Sequence, residues 1–120
     1  MITVLELTEL DVQVPDFSLE PESLWSKFSE LSFGKDVDFG DQPGFSKKYY
    51  LRGQDELAVR KFFNSELRDF LENREEVHLE CHRNRLLLYK RREALAISEL
   101  RYLEKFAEDL VAILSTKKPG

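Results

Sequence analysis

Between Val77 and Lys90 two extended runs, the first alternating apolar and polar, flank an Arg83-Asn84 pair. Val77, Leu79 and Cys81 interleave with His78, Glu80 and His82, and Leu86, Leu87, Leu88 and Tyr89 form a second extended run. A period of two buries one face of a strand, and asparagine tolerates the positive φ that a two-residue turn demands. The spacing predicts a β-hairpin over residues 77–90. An alternating hairpin has one apolar face, so the rest of the chain must supply elements that cover it.

Those elements follow from periodicity and from helix stop and start signals. Residues 2–7 are β-branched and apolar and predict a strand; Leu10, Val12 and Val14 alternate with Asp11 and Gln13 until Pro15 ends regular pairing. Pro21 suits a first helical position, Leu24, Phe28 and Leu31 share a helical face, and Gly34 suits a stop, which predicts a helix over 21–33 with Leu19 and Leu24 stapled around a Glu20 cap. Residues 35–46 read as a loop containing a Pro43-Gly44 type II turn. A strand follows over 48–52, with Tyr49 and Leu51 on one face and Tyr50 on the other. Gly53 ends it, Asp55 suits a cap, and Asn64-Ser65 divides residues 56–73 into two short helices or one bent one. Ser98 is placed to cap a last helix whose apolar face runs from Leu100 through Leu103, Phe106 and Leu110 to Leu114; residues 115–120 form a frayed tail. The expected class is α+β: one domain over residues 1–120, a mostly antiparallel sheet of about four strands, and three to four helices packed on one face.

Composition narrows the function classes. The chain has 120 residues, 42% hydrophobic and 34% charged, so it has apolar side chain enough to fold without disulfides or a structural metal. Cys81 is the sole cysteine, which excludes an internal disulfide and a cysteine zinc cluster. The longest apolar run, residues 110–114, is far short of the ~20 residues a membrane helix needs, and no secretory signal pattern opens the chain. The net charge of −5 is unevenly spread: residues 1–46 hold ten acids and two bases, the remainder thirteen acids and sixteen bases. Bulk charge therefore disfavours nucleic-acid binding, while the second half can face an acidic partner.

Five bases, Arg83, Arg85, Lys90, Arg91 and Arg92, surround the hairpin. With Lys47, Lys48 and Arg52 they would make one positive surface if their strands are neighbours, with Tyr50 and Tyr89 interleaved. This points to contact with an acidic protein or an anionic lipid surface; nucleic-acid or small-ligand binding on the open sheet face is the alternative. His78, Glu80 and His82 share one face of a strand and are weak candidates for a metal, since no further ligand is evident. Asp36, Asp38 and Asp41 lack the glycine and terminal acid of a calcium loop. No phosphate-binding glycine loop, nucleophile elbow or dinucleotide fingerprint is present, so neither a cofactor nor an enzymatic activity is expected. Cys81 faces the core, and Phe33, Phe39 and Phe45 are expected to tuck under the sheet.

One stretch carries a resemblance: Asp38-Phe39, Pro43 before Phe45-Ser46, Tyr49 to Gly53 as Tyr-x-Leu-Arg-Gly, Asp55-Glu56, and Leu87 to Lys90 as Leu-Leu-Tyr-Lys. It resembles an uncharacterised family of bacterial proteins whose members carry short hydrophobic segments upstream of a soluble C-terminal domain. The resemblance spans half to two-thirds of the chain. It implies a membrane-tethered parent and hence a cytoplasmic domain held at the membrane surface, and it brings no activity, cofactor or catalytic residue.

Overall fold

The computed structural model describes residues 4–7, 10, 12–21, 35–90 and 97–116. Six strands, β1 (Val4–Leu7), β2 (Phe17–Pro21), β3 (Lys35–Asp36), β4 (Tyr49–Gly53), β5 (His78–His82) and β6 (Arg85–Tyr89), form one sheet in the order β1-β6-β5-β2-β4-β3. All neighbouring pairs are antiparallel. Among the described residues four helices accompany them: α1 (Pro43–Lys48), α2 (Glu56–Phe62), α3 (Ser65–Glu72) and α4 (Ile97–Ser115). The class is α+β, with six strands among the described residues where the sequence suggested about four.

Register explains the core. Leu5 faces Leu88, Leu88 faces Leu79, Leu79 faces Leu19 and Leu19 faces Leu51, so one row of leucines crosses five strands. The helices pack on that face. Phe17 meets Phe63 edge-on at 4.9 Å and Phe62 at 5.9 Å, Phe45 lies 5.8 Å from Tyr49, and Phe70 lies 5.0 Å from Phe106. Each such buried side chain contributes about 1.5–3 kcal/mol over leaving it in water. In α4 the buried side is Leu103, Phe106, Ala107, Leu110 and Leu114, while Lys105 and Asp109 pair at 3.3 Å on the outside.

The helix starts obey the expected chemistry. Asp55 accepts from the Ala58 amide at 3.1 Å, and Asn64 accepts from the Leu67 amide at 3.0 Å, which separates α2 from α3. Gly53 is required by close approach: a Cβ there would come within 2.5 Å of the Val59 side chain and 3.1 Å of the Asp16 carbonyl. α4 begins at Ile97, so Ser98 lies inside its first turn and not at its cap.

Two further expectations are corrected. Residues 17–21 form a central strand instead of leading into a helix. Phe17, Leu19 and Pro21 are buried and alternate with half-buried Ser18 and Glu20, a period of two that outweighs the proline signal. Leu19 is thereby fixed in the leucine row, and Pro21 closes the strand where a missing N–H is tolerated. The remainder of the helix expected over 21–33 lies outside the described residues. Pro43-Gly44 opens α1 instead of a type II turn, because proline's fixed φ suits the first turn of a helix as well as a turn. Phe39 and Phe45 are indeed buried. Of the tail expected over 115–120, Ser115 ends α4 and Thr116 donates to the Ile113 carbonyl at 2.6 Å and to Glu66 at 3.2 Å, so those two residues are tied down; 117–120 and Phe33 lie outside the described residues. No helix of the described residues is long and apolar enough to cross a membrane.

Candidate functional site

The turn between β5 and β6 is exposed and its backbone is tightly specified. Arg83 and Asn84 both take positive φ, 52° and 63°, as a two-residue hairpin turn requires. Residues 12–16 then tie the turn down from across the fold. The Val14 amide donates to Asn84 Oδ1 at 2.7 Å, and Asn84 Nδ2 donates to the Val12 carbonyl at 3.3 Å. Asp16 Oδ1 accepts from the Arg83 amide at 3.0 Å, and Asp16 Oδ2 lies 3.5 Å from His82 Nδ1. The backbone of the tip is thus fixed while its side chains point outward: Arg83 is exposed, as are His82 and Arg85. Arg85 pairs with Glu6 of β1. The Arg83 guanidinium has no ion-pair partner among the described residues.

The other bases expected at the site are placed elsewhere. Lys90 lies at the opposite end of β6 from Arg85, five residues or about 17 Å away at strand rise. Its side chain is buried, with Nζ 2.9 Å from Glu75 Oε2 and 4.7 Å from the Tyr102 ring centroid. Lys48 Nζ donates to the carbonyls of Glu72, at 2.8 Å, and Arg74, so it caps the C-terminal end of α3. Desolvation lowers the pKa of Lys48, against the opposing pull of Glu76 and Glu72. Arg52 is 5% exposed, its guanidinium 5.2 Å from the Tyr50 ring centroid. The hairpin is separated from β4 by β2, so Arg52 and the tip are not on neighbouring strands. Lys47 is exposed on α1. Arg91 and Arg92 lie outside the described residues.

His78, Glu80 and His82 do alternate on the face opposite Leu79 and Cys81, but they differ in exposure. His82 is exposed, whereas His78 is 3% exposed and stacks on Tyr89 at 4.9 Å with the rings 10° from parallel. The expectation of two solvent-facing histidines is therefore corrected: His78 faces Tyr89 in register and stacks on its ring, and both are buried. Glu80 Oε2 accepts from the Tyr89 hydroxyl at 3.4 Å. Among the described residues no group of three histidine, cysteine or carboxylate side chains is arranged to hold a metal ion. Asp41 pairs with Arg68 at 3.2 Å; Arg68 in turn lies 4.3 Å from the Phe39 ring centroid, which folds the 38–41 loop against α3. Cys81 is buried, and burial, helped by Asp16, pushes its thiol up to about 11, so it is held as the unreactive protonated form. Burial likewise raises the pKa of Tyr49, whose hydroxyl accepts from the Val77 amide at 3.1 Å, and that of Tyr102.

Beside the tip lies a cleft of about 870 Å³. Residues 13–16, Asp16 among them, and residues of the 54–64 stretch, among them Gln54, Asp55, Lys61 and Phe62, line it. Sequence reasoning missed this feature and the pinning role of Asp16. Asp16 and Arg83 are 67 residues apart, and no local pattern signals that they meet. No family model, no curated protein and no solved structure matches this chain.

Proposed function

We propose that this domain is a non-catalytic interaction module that offers its hairpin tip, Arg83 with Arg85, to an acidic protein segment. The observation that carries the reading is an exposed arginine without an ion pair among the described residues, on a turn whose backbone is held by Asn84 and Asp16. A group fixed before binding loses little conformational freedom on binding, so its charge is available at low entropic cost. A carboxylate can then form a charge-assisted, two-pronged hydrogen-bond pair with the guanidinium. The tip is a small cationic point on a chain of net charge −5, with Asp16 and Glu6 beside it. A flexible acidic segment can reach the arginines without facing those carboxylates, whereas a flat anionic bilayer meets them together. In the cell we place the domain in the cytoplasm, held near the membrane by a parent chain, on the strength of the sequence resemblance above.

The test is an NMR titration of the 15N-labelled chain with capped hexaglutamate. The Arg83 and Arg85 amides are expected to shift, and the effect to shrink with added salt. The double variant Arg83→Glu, Arg85→Glu should stay folded and lose the response. Absence of any salt-dependent shift at the tip refutes the reading, and binding to phosphatidylglycerol vesicles in place of the peptide reassigns the tip to lipid.

A further inference from the structure

We infer that the open edge of β1, with the hollow between it and α4, takes a further strand: an extended segment of a partner protein that presents one apolar side chain between basic ones. The inference is independent of the hairpin tip. The two edges of the sheet are built differently. Natural edges are blunted by shortness and by charge, because a bare edge offers its N–H and C=O groups to any extended chain. β3 meets both conditions, since it has two residues, Lys35 and Asp36. β1 is longer, and three of its four residues are apolar. Its one charge, Glu6, alternates away from the leucine row and is engaged by Arg85.

The core is also left open at this edge. Leu88, Leu79, Leu19 and Leu51 are buried, but Leu5 and Leu7 are only half-buried. α4 packs over β1 and β6, and its Val111 is 39% exposed. Leu7, Ala107, Glu108 and Val111 line a hollow of about 380 Å³ that opens to solvent. Side chains of an added strand alternate between the two faces of the sheet, so every second one lies on the α4 side, as Leu5 and Leu7 do. A branched aliphatic side chain there extends the leucine row by one strand. Charge selects its neighbours. Glu104 lies one turn before Glu108, both are exposed, and neither has an ion-pair partner among the described residues. Like charges at this spacing oppose the helix, and a cation beside the hollow relieves them. A second copy of this chain would bring the same two carboxylates to the edge, so a partner with lysine or arginine two positions from its apolar residue fits better.

The probe is capped Lys-Thr-Ile-Thr-Lys, whose side-chain order is the same in either strand direction, titrated into the full 15N-labelled chain. The amides of β1 and of residues 107–111 are expected to shift on one saturable curve while Arg83 stays silent. Exchanging the isoleucine of the probe for serine should weaken binding about tenfold, the loss of one buried aliphatic side chain. Val111→Arg, at an exposed position of α4, should leave the chain folded and weaken binding as much. Strand addition has its own signature, because only alternate amides of an added strand face β1. Of two probes, one N-methylated at the isoleucine and one at both threonines, one should bind and the other should not. The double variant Glu104→Lys, Glu108→Lys should prefer Glu-Thr-Ile-Thr-Glu at β1. Silence at β1 overturns the inference, whatever Arg83 does. Methylated probes that both bind or both fail overturn strand addition, and an unchanged preference in the lysine variant overturns the basic character assigned to the partner.

Discussion

Asn84 is the residue on which the tip depends, and two substitutions separate its two contributions. Its φ of 63° lies in the left-handed region, and its side chain accepts the Val14 amide at 2.7 Å and donates to Val12 at 3.3 Å. Asn84→Gly keeps the backbone freedom and removes both bonds. The shorter bond is worth about 1 kcal/mol, and the part-buried Val14 amide left behind adds a desolvation cost of about 1 kcal/mol or more, so the glycine variant should lose about 2 kcal/mol. Asn84→Ala removes the same bonds but keeps a Cβ in the left-handed region, without the local side-chain bonding that lets asparagine tolerate it, a further ~1 kcal/mol relative to glycine. The expected order is wild type, then glycine, then alanine, with steps of about 2 and about 1 kcal/mol in urea unfolding and a fall in Tm of roughly 4 °C per kcal/mol. A glycine variant within about 0.5 kcal/mol of wild type, near the scatter of ordinary surface changes, would refute the claim that the side chain holds the tip. In that case Arg83 is not displayed on a fixed turn, and the argument from preorganisation falls with it.

Other consequences are sharp enough to measure. Phe17→Ala removes the ring that meets both Phe62 and Phe63 and should destabilise the fold by about 3–5 kcal/mol in the same unfolding assay. Gly53→Ala drives a Cβ to 2.5 Å from Val59 and should cost about 1–3 kcal/mol by overpacking; paired with Val59→Ala it should recover part of that loss. The Cys81 thiol, raised from 9.0 to about 11 by burial, keeps its proton in the folded state at a pH where the unfolded chain has lost it. Its contribution to stability is therefore complete below about pH 9 and is lost as pH rises towards 11, and a thiolate reagent at pH 8 should modify the unfolded chain much faster than the native one.

How much of this was legible in the sequence depends on the range of the interactions. The hairpin, the helical stretch over 56–73 and the Asp55 cap were legible, because each is decided within four or five residues by periodicity or by a side chain reaching its own backbone; whether Asn64 divides that stretch or only bends it is open in the sequence and is decided by its bond to the Leu67 amide. β2 was not, because Pro21 and the spacing of Leu24, Phe28 and Leu31 outweighed the alternation of Phe17, Leu19 and Pro21 until pairing on both sides fixed it. The same holds at Pro43, where helix and turn share the same proline conformation and only the packing of Phe45 decides between them. His78 was misjudged for a related reason. Alternation names the face of a strand but not whether the rest of the fold covers it, and here His78 and the Tyr89 ring stacked on it are both buried.

The basic residues show why a charge cluster in a sequence underdetermines a binding surface. Lys48 serves the carbonyls at the end of α3, Lys90 lies buried between Glu75 and Tyr102, and Arg85 answers Glu6 on the neighbouring strand. Lys48 satisfies carbonyls and Lys90 has its own buried charge compensated, which are structural tasks, whereas the Arg85–Glu6 pair lies at the surface and leaves Arg85 accessible beside Arg83. Arg83 differs because its backbone is used and its guanidinium is not. Asp16 takes the amide, and the charged end is left to solvent. A turn needs only permissive φ at this position, and arginine is a poor choice on that ground alone, since a Cβ there carries the left-handed penalty that glycine avoids. An arginine that costs conformational energy and makes no ion pair within the described fold calls for a compensating gain, and a negatively charged partner outside the fold supplies one.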